Sequence, residues 1–238
     1  MLLGIESTAD LVGVALRDDQ RVRAACSLLG RRHHTERLAP AIQVVLEEAG
    51  TALEEVDAIA LDVGPGLFNG IRVGVATAKG LAQGLGVGIL ALNSLEVTAA
   101  GVAGAGWGSD VLAVVDARRG DVFSARYRPS GGDVRELDPP RRIFPSELAE
   151  RARPDEPLLL VGDGALRYRD SLLAGEACVL AASNLCRPDP CALVELAAIR
   201  IAQGAAPVPG TDVMALYMGE PSTRINWSVR EDAARGPS

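Results

Sequence analysis

Aromatic side chains make up only 3% of this 238-residue chain, and Lys79 is its sole lysine. With so few rings the interior must be filled by Val, Leu, Ile and Ala, and a hydrophobic content of 48% supplies enough of them for a genuine core. Histidine is equally scarce. His33 and His34 are the only two, and adjacent residues point in different directions on a helix or strand, which argues against a metal pair. The four cysteines (Cys26, Cys178, Cys186, Cys191) have no CxxC spacing and read as reduced thiols rather than a disulfide or zinc framework. The longest apolar run, around Leu90–Leu92, is far short of the ~20 residues that span a bilayer. The opening residues Met1 to Glu6 lack a basic region and read as a first strand, so no membrane contact and a cytoplasmic location are expected. A net charge of −7 and a pI of about 5.0 exclude tight, unaided binding to a phosphate backbone. A role on nucleic acid would need a basic partner.

Apolar runs and turn residues organise what remains. Leu2–Glu6 and residues 11–16 read as strands joined through Ser7, Thr8, Ala9 and Asp10, and residues 20–28 as a third. A helix over 35–49 carries the stripe Leu38, Ile42, Val45, Ala49, with Ala41 and Val44 expected off it. Thr51 and Glu54 suggest a capping box, as do Asn93 and Glu96. Residues 58–63 and Gly88–Leu92 read as strands flanking a glycine-rich helix. The glycine cluster at 101–108 breaks the pattern, which then partly restarts. Val111–Asp116 and 122–127 form a second hairpin, followed by Leu158–Val161, a short strand at 178–181 and a helix at 193–203. Asp163, between two glycines, reads as a turn residue. The expectation is a duplicated α/β protein: residues 1–105 as one lobe, 106–219 as a second, and 220–238 as a polar, loosely ordered tail.

The segment from Gly64 to Gly84 is the most informative. Gly70, Gly74, Gly80 and Gly84 fall inside its helix, each costing about 0.8–1 kcal/mol relative to alanine. A Walker loop fits poorly, because Lys79-Gly80 lies deep in the helix with no Ser or Thr after it. A dinucleotide fingerprint fits poorly too, since Pro65 removes an N–H that should face phosphate. Close packing fits better. Gly70, Gly74, Thr77, Ala78 and Leu81 share one low-relief face, and only Arg72, Lys79 and Gln83 form a polar edge. The cover is either the 35–49 helix alone or that helix together with another subunit.

Five segments give the chain a family resemblance: Ile5-Glu6-Ser7-Thr8, His34 to Pro40, Gly64 to Leu81, Asp116 to Gly120, and Gly162-Asp163-Gly164. In them it resembles the TsaB family, the bacterial partner of TsaD in tRNA threonylcarbamoyladenosine synthesis. The resemblance implies an actin-like/Hsp70-like ATPase (ribonuclease-H-like) fold with two duplicated lobes, mixed sheets flanked by helices. It also implies a complex with TsaD and the ATPase TsaE, with tRNA reached only through the complex. TsaD itself carries a His-x-x-x-His metal pair on the helix after the glycine-rich segment, where this chain has Ser94 and Thr98. Hydroxyls are poor ligands for such a metal, so no metal and no catalytic residue are expected here.

On this reading the chain is a non-catalytic subunit that binds TsaD through Arg37, Ala41, Val44, Glu48, Gly70, Gly74, Ala78 and Leu81, and that self-associates through the same surface when alone. Glu6 and Asp116 stand where an actin-like ATPase would place its acids, as a vestigial nucleotide site or as structural caps. No cofactor of its own is expected; ATP or ADP at the partner interface stays open. The rival readings are an ATPase using Glu6 and Asp116, and a metallopeptidase of the same superfamily.

Overall fold

Two sheets with the same strand order and the same pairing senses make up the molecule. The computed structural model describes residues 1–30, 34–103, 107–151, 157–173 and 178–217. The first sheet contains β1 (Leu2–Glu6), β2 (Leu11–Arg17), β3 (Val22–Leu29), β4 (Ala58–Asp62) and β5 (Gly88–Leu92), ordered β3-β2-β1-β4-β5. The second contains β6 (Val111–Asp116), β7 (Val122–Ser130), β8 (Asp133–Ile143), β9 (Leu158–Val161) and β10 (Cys178–Leu180), ordered β10-β9-β6-β7-β8. In each, the first three strands are antiparallel neighbours and the last two join in parallel. The duplication expected from the restarting pattern is therefore a repeated topology.

Helices α1 (His34–Ala49) and α2 (Phe68–Leu85) cover one face of the first sheet, with a short 3-10 turn (Leu53–Glu55) between α1 and β4. Helix α3 (Ser94–Ala103) packs on β6, β7 and β8 of the second sheet, and α7 (Pro190–Ala202) packs on β1 to β5 of the first. These two helices also touch each other, so each lies between the sheets and belongs in packing to the sheet it does not follow in sequence. The apolar cluster between the sheets unites Leu2, Ala15 and Leu92 with Val97, Val111, Tyr127, Leu193 and Val194. The other face of the second sheet is covered by α4 (Pro145–Arg151), α5 (Asp163–Arg167) and α6 (Arg169–Leu172).

Two local expectations change and a third holds. Ala41 lies on the core stripe of α1, only 2% exposed, whereas Val44 is 46% exposed. The turn after α1 is closed by Glu55, whose carboxylate accepts from the Ala52 N–H at 2.9 Å, not by a Thr51–Glu54 box. The box at Asn93 and Glu96 does form, each side chain accepting from the other's backbone N–H at 2.9 and 2.7 Å. Among the described residues no helix is long and apolar enough to cross a membrane.

Candidate functional site

Where an actin-like enzyme would keep its acids, the strand ends are sealed. Glu6 closes β1 with no exposure, and its Oε1 accepts from the Thr8 N–H at 2.7 Å and the Thr8 hydroxyl at 2.8 Å. Asp62, which the sequence reading did not single out, closes β4 beside it. Its Oδ1 accepts from the Gly64 N–H at 2.8 Å and the Ser94 hydroxyl at 2.6 Å. Burial pushes the Asp62 carboxyl well above the usual range, and the adjacent Glu6 charge pushes it further. Burial also raises Glu6, which gains back some stability for its anion from hydrogen bonds to Asp62 and Thr8. Glu6 Oε2 has no other partner among the described residues. Of the two carboxyls, Asp62 is the more strongly raised and is the one that would keep a proton and donate it to the Glu6 carboxyl. The signal for Asp62 was present in the sequence, as an acid ending an otherwise apolar strand.

The equivalent corner of the second sheet is closed by arginine. Asp116 ends β6, and its carboxylate receives the Arg118 N–H at 2.9 Å, with Arg118 Nη1 at 3.2 Å and Arg167 Nε at 3.5 Å. Arg118 adopts a left-handed backbone (φ 68°) that brings its guanidinium to both Asp116 and Asp163, the latter at 2.8 Å. Asp163 is therefore more than a turn residue: it opens α5, and its Oδ1 accepts from the Asp116 N–H at 2.9 Å. Burial raises the Asp163 carboxyl, partly offset by the Asp116 amide and the Arg118 charge.

Between these corners, Thr8, Pro65, Gly66, Ser94, Arg118 and Asp163 line a cleft whose cavity is only about 10 Å³. That is the lower limit for a single water. Glu6 and Asp116 are not among its lining residues. Arg187, ahead of α7, spans to Asp10 in the β1–β2 turn, with Nε 2.7 Å from Oδ1 and Nη2 3.3 Å from Oδ2.

The glycine-rich helix owes part of its composition to the chain's own β1–β2 turn. A Cβ on Gly70 would stand 1.9 Å from the Ser7 carbonyl oxygen, and one on Gly74 would stand 2.3 Å from Ser7 Oγ. The Ser7 hydroxyl donates to the Gly70 carbonyl at 2.9 Å, and the Leu67 N–H donates to the Thr8 carbonyl at 2.6 Å. Gly70, Gly74, Ala78 and Ala41 are thus buried within the chain, which removes them from the expected partner surface. Arg37, Val44, Glu48 and Leu81 retain exposure, with Arg37 donating to the Leu29 carbonyl at 3.1 Å. The outward stripe of α2 is Ala76, Gly80 and Gly84, where a Cβ on either glycine would meet nothing within 4 Å. Between α1 and α2 runs an open groove of about 730 Å³ lined by Ala39, Ile42, Gln43, Leu46, Thr77 and Leu81.

On α3, Ser94 and Thr98 are both buried; Thr98 donates to the Ser94 carbonyl at 2.6 Å while Ser94 is committed to Asp62. Among the described residues no group of three or more His, Cys, Asp and Glu is placed to hold a metal ion. His34 begins α1 with Nε2 3.1 Å from the Ala9 carbonyl oxygen; His33 and the 220–238 tail, with Trp227, lie outside the described residues. Burial raises the Cys186 and Cys191 thiols, the latter to about 11.

A family model described as "TsaD: tRNA N6-adenosine threonylcarbamoyltransferase" matches residues 29–160, more than half of the chain. The Bacillus subtilis tRNA threonylcarbamoyladenosine biosynthesis protein TsaB is 30% identical over 68% of this chain and 70% of its own length. The Escherichia coli protein of that name is 36% identical, the match spanning 53% of this chain and only 54% of the relative. By contrast, the Sphingopyxis alaskensis tRNA N6-adenosine threonylcarbamoyltransferase is matched over just 33% of its length, at 38% identity. The solved structure of YeaZ from Pseudomonas aeruginosa superposes with a TM-score of 0.82 at 28% identity, covering 91% of this chain and 98% of that one. Component A of the Acidaminococcus fermentans (R)-2-hydroxyglutaryl-CoA dehydratase shares the fold alone, with a TM-score of 0.52 at 13% identity. The fold is the actin-like ATPase (ribonuclease-H-like) one, and the relatives matched over most of their length are TsaB and YeaZ rather than TsaD. The chain belongs to the TsaB (YeaZ) family of tRNA threonylcarbamoyladenosine biosynthesis proteins.

Proposed function

We propose that the chain is a non-catalytic subunit in the formation of N6-threonylcarbamoyladenosine at position 37 of tRNAs, and that it binds and stabilises TsaD. The observation that carries this reading is the closed cleft between the sheets. A cavity of about 10 Å³ accepts neither a nucleotide nor a hydrated metal ion. The acids that would serve them are spent on Thr8, Ser94, Arg118 and Arg167.

The face for TsaD is the outer side of α1 and α2. It keeps Val44, Glu48, Arg37 and Leu81, and it gains the exposed Ala76, Gly80 and Gly84; among the described residues a Cβ on either glycine would meet nothing within 4 Å. Helical glycines facing open space lower helix stability by about 0.8–1 kcal/mol each. A second helix approaching within the closest packing distance gives that cost a use. TsaD, with the same fold, would present an equivalent helix pair, making the contact pseudo-symmetric. Alone, the chain would use this face for a homodimer. TsaE and tRNA join through the assembled complex, and any ATP or ADP at the partner interface would need groups from the partner.

Reconstitution tests this. TsaD, TsaE and the enzyme that makes threonylcarbamoyl-adenylate are assayed for modified tRNA with and without the chain. Modification must depend on it; chain-independent modification refutes the role. The ATPase rival makes a different demand, that the purified chain hydrolyses ATP and that Asp116→Ala abolishes turnover.

A further inference from the structure

A second cavity lies on the opposite face of the second sheet, between α4 and strands β7 and β8, with a volume of about 60 Å³. That is several times what one water needs, and too little for a base or sugar. Three of the described residues around it are arginines: Arg126 on β7, Arg141 on β8 and Arg151 at the end of α4. Ser124 and Asp138 complete its polar rim, over an apolar floor that includes Leu148.

Among the described residues, the acidic partners of these arginines are distant, exposed or shared. Asp138 approaches Arg141 no closer than 3.8 Å. Arg151 pairs with Glu147 at 3.3 Å, with both side chains at least half exposed, a contact of small energetic weight. Arg126 reaches Asp110, but that carboxylate is shared with Arg128 at 2.7 Å. Arg126 also keeps a buried Nε–H without a partner among the described residues. Leaving such a donor unmatched costs about 1–3 kcal/mol. The β7–β8 register shifts on both sides of Arg126, between Ser124 and Arg126 and between Arg126 and Tyr127. Irregularities of this kind re-aim side chains and gather beside functional sites.

We propose that this cavity binds one phosphate group, held by the guanidinium forks of Arg126, Arg141 and Arg151. Three arginines lining one small space, one of them with a buried unpartnered Nε–H, suit a multiply charged tetrahedral oxyanion, which the planar arginine fork bonds in pairs. A local anion site is compatible with the acidic chain, because it needs one matched group rather than a basic surface.

The first measurement uses the chain alone, and so does not depend on TsaD binding. Sodium phosphate is titrated at constant ionic strength while arginine Nε–H resonances are followed. Saturable shifts at Arg126 and Arg151 are expected. Arg151→Gln, at an exposed helix end where folding is not at stake, should weaken binding about tenfold or more; Arg126→Gln should abolish it. Absence of a saturable shift, or equal affinity in Arg151→Gln, overturns the proposal.

A second measurement assigns the source and rests on the reading under Proposed function. In the reconstituted complex, Arg151→Gln should reduce the slope of log affinity for tRNA against log salt by about 0.7–0.9 if the site grips an RNA backbone phosphate. If phosphate binds the chain but that slope is unchanged, the site stands and serves a free phosphate or a mononucleotide.

Discussion

The Ser94 hydroxyl donates to Asp62 Oδ1 at 2.6 Å, tying the first turn of α3 to the end of β4. Because Asp62 also shares its surroundings with buried Glu6, the two carboxyls cannot both be ionised cheaply. The folded-state value of Asp62 is raised above the unfolded one of about 3.9. A group raised in this way binds its proton more tightly folded than unfolded. Its contribution to stability is complete below the unfolded value and is lost as pH climbs through the raised folded value. Chemical denaturation should therefore show stability falling with pH across that window. Asp62→Asn, which keeps a donor for Glu6 and acceptors for Gly64 and Ser94, should flatten the slope. An unchanged slope in the variant would mean that the proton resides elsewhere.

Gly74 and Gly80 sit on the same helix and should respond in opposite ways to one substitution. Gly74→Leu drives a side chain into Ser7 Oγ, 2.3 Å from its Cβ, and should cost roughly 3 kcal/mol or more. Gly80→Leu meets nothing within 4 Å and should raise helix stability by about 0.5–1 kcal/mol. Thermal melts of the isolated chain separate the two. Co-elution with TsaD then tests the interface: Gly80→Leu should fold and fail to co-elute, and a fully folded variant that still co-elutes moves the interface elsewhere.

That contrast shows what sequence could deliver and where it stopped. Strand and helix positions in the first lobe were legible because their apolar periods are clean; Leu2–Glu6 and Gly88–Leu92 emerge with the bounds read from pattern alone. β8 was missed. Pro139 and Pro140 hide it, and they are tolerated because β8 is an edge strand. The Gly131-Gly132 turn before it, with φ of 59° and 86°, was the overlooked hairpin signal. The glycines of α2 announced close contact correctly but not its partner. Gly70 and Gly74 answer to the β1–β2 turn, a contact more than sixty residues away along the chain that no local pattern encodes. For the same reason Ala41 was placed outside and Asp62 was passed over.

Arg187 and Asp10 join the segment before α7 to the β1–β2 turn across the closed cleft. Each side chain is about 30% exposed, with relative values of 30% and 28%, so the pair is partly screened and its loss should cost only about 1 kcal/mol. The informative readout is local. Arg187→Ala should speed amide exchange at residues 7–10 and in the Gly66 to Gly70 backbone that seats against them, with little change in β4 or β9. Uniform acceleration across the chain would show that the ion pair supports the whole fold rather than the cleft.

Val44 is the exposed apolar residue on α1 nearest the character of an interface anchor, 46% exposed on a helix whose neighbours Glu47 and Glu48 are solvated. Among the described residues it belongs to none of the core clusters, unlike Val45 beside it, which is 1% exposed. Val44→Asp should therefore leave the melting curve of the isolated chain nearly unchanged, within the ±0.5 kcal/mol typical of surface substitutions. In the complex the same change places an unpaired carboxylate in a desolvated contact, and affinity for TsaD should fall by about tenfold to a hundredfold. Isothermal titration against TsaD measures both limits, with Val45→Asp as the contrasting variant that should fail to fold. If Val44→Asp binds as tightly as the parent chain, α1 is not part of the contact, and the surface must be sought along Ala76, Gly80 and Gly84 alone.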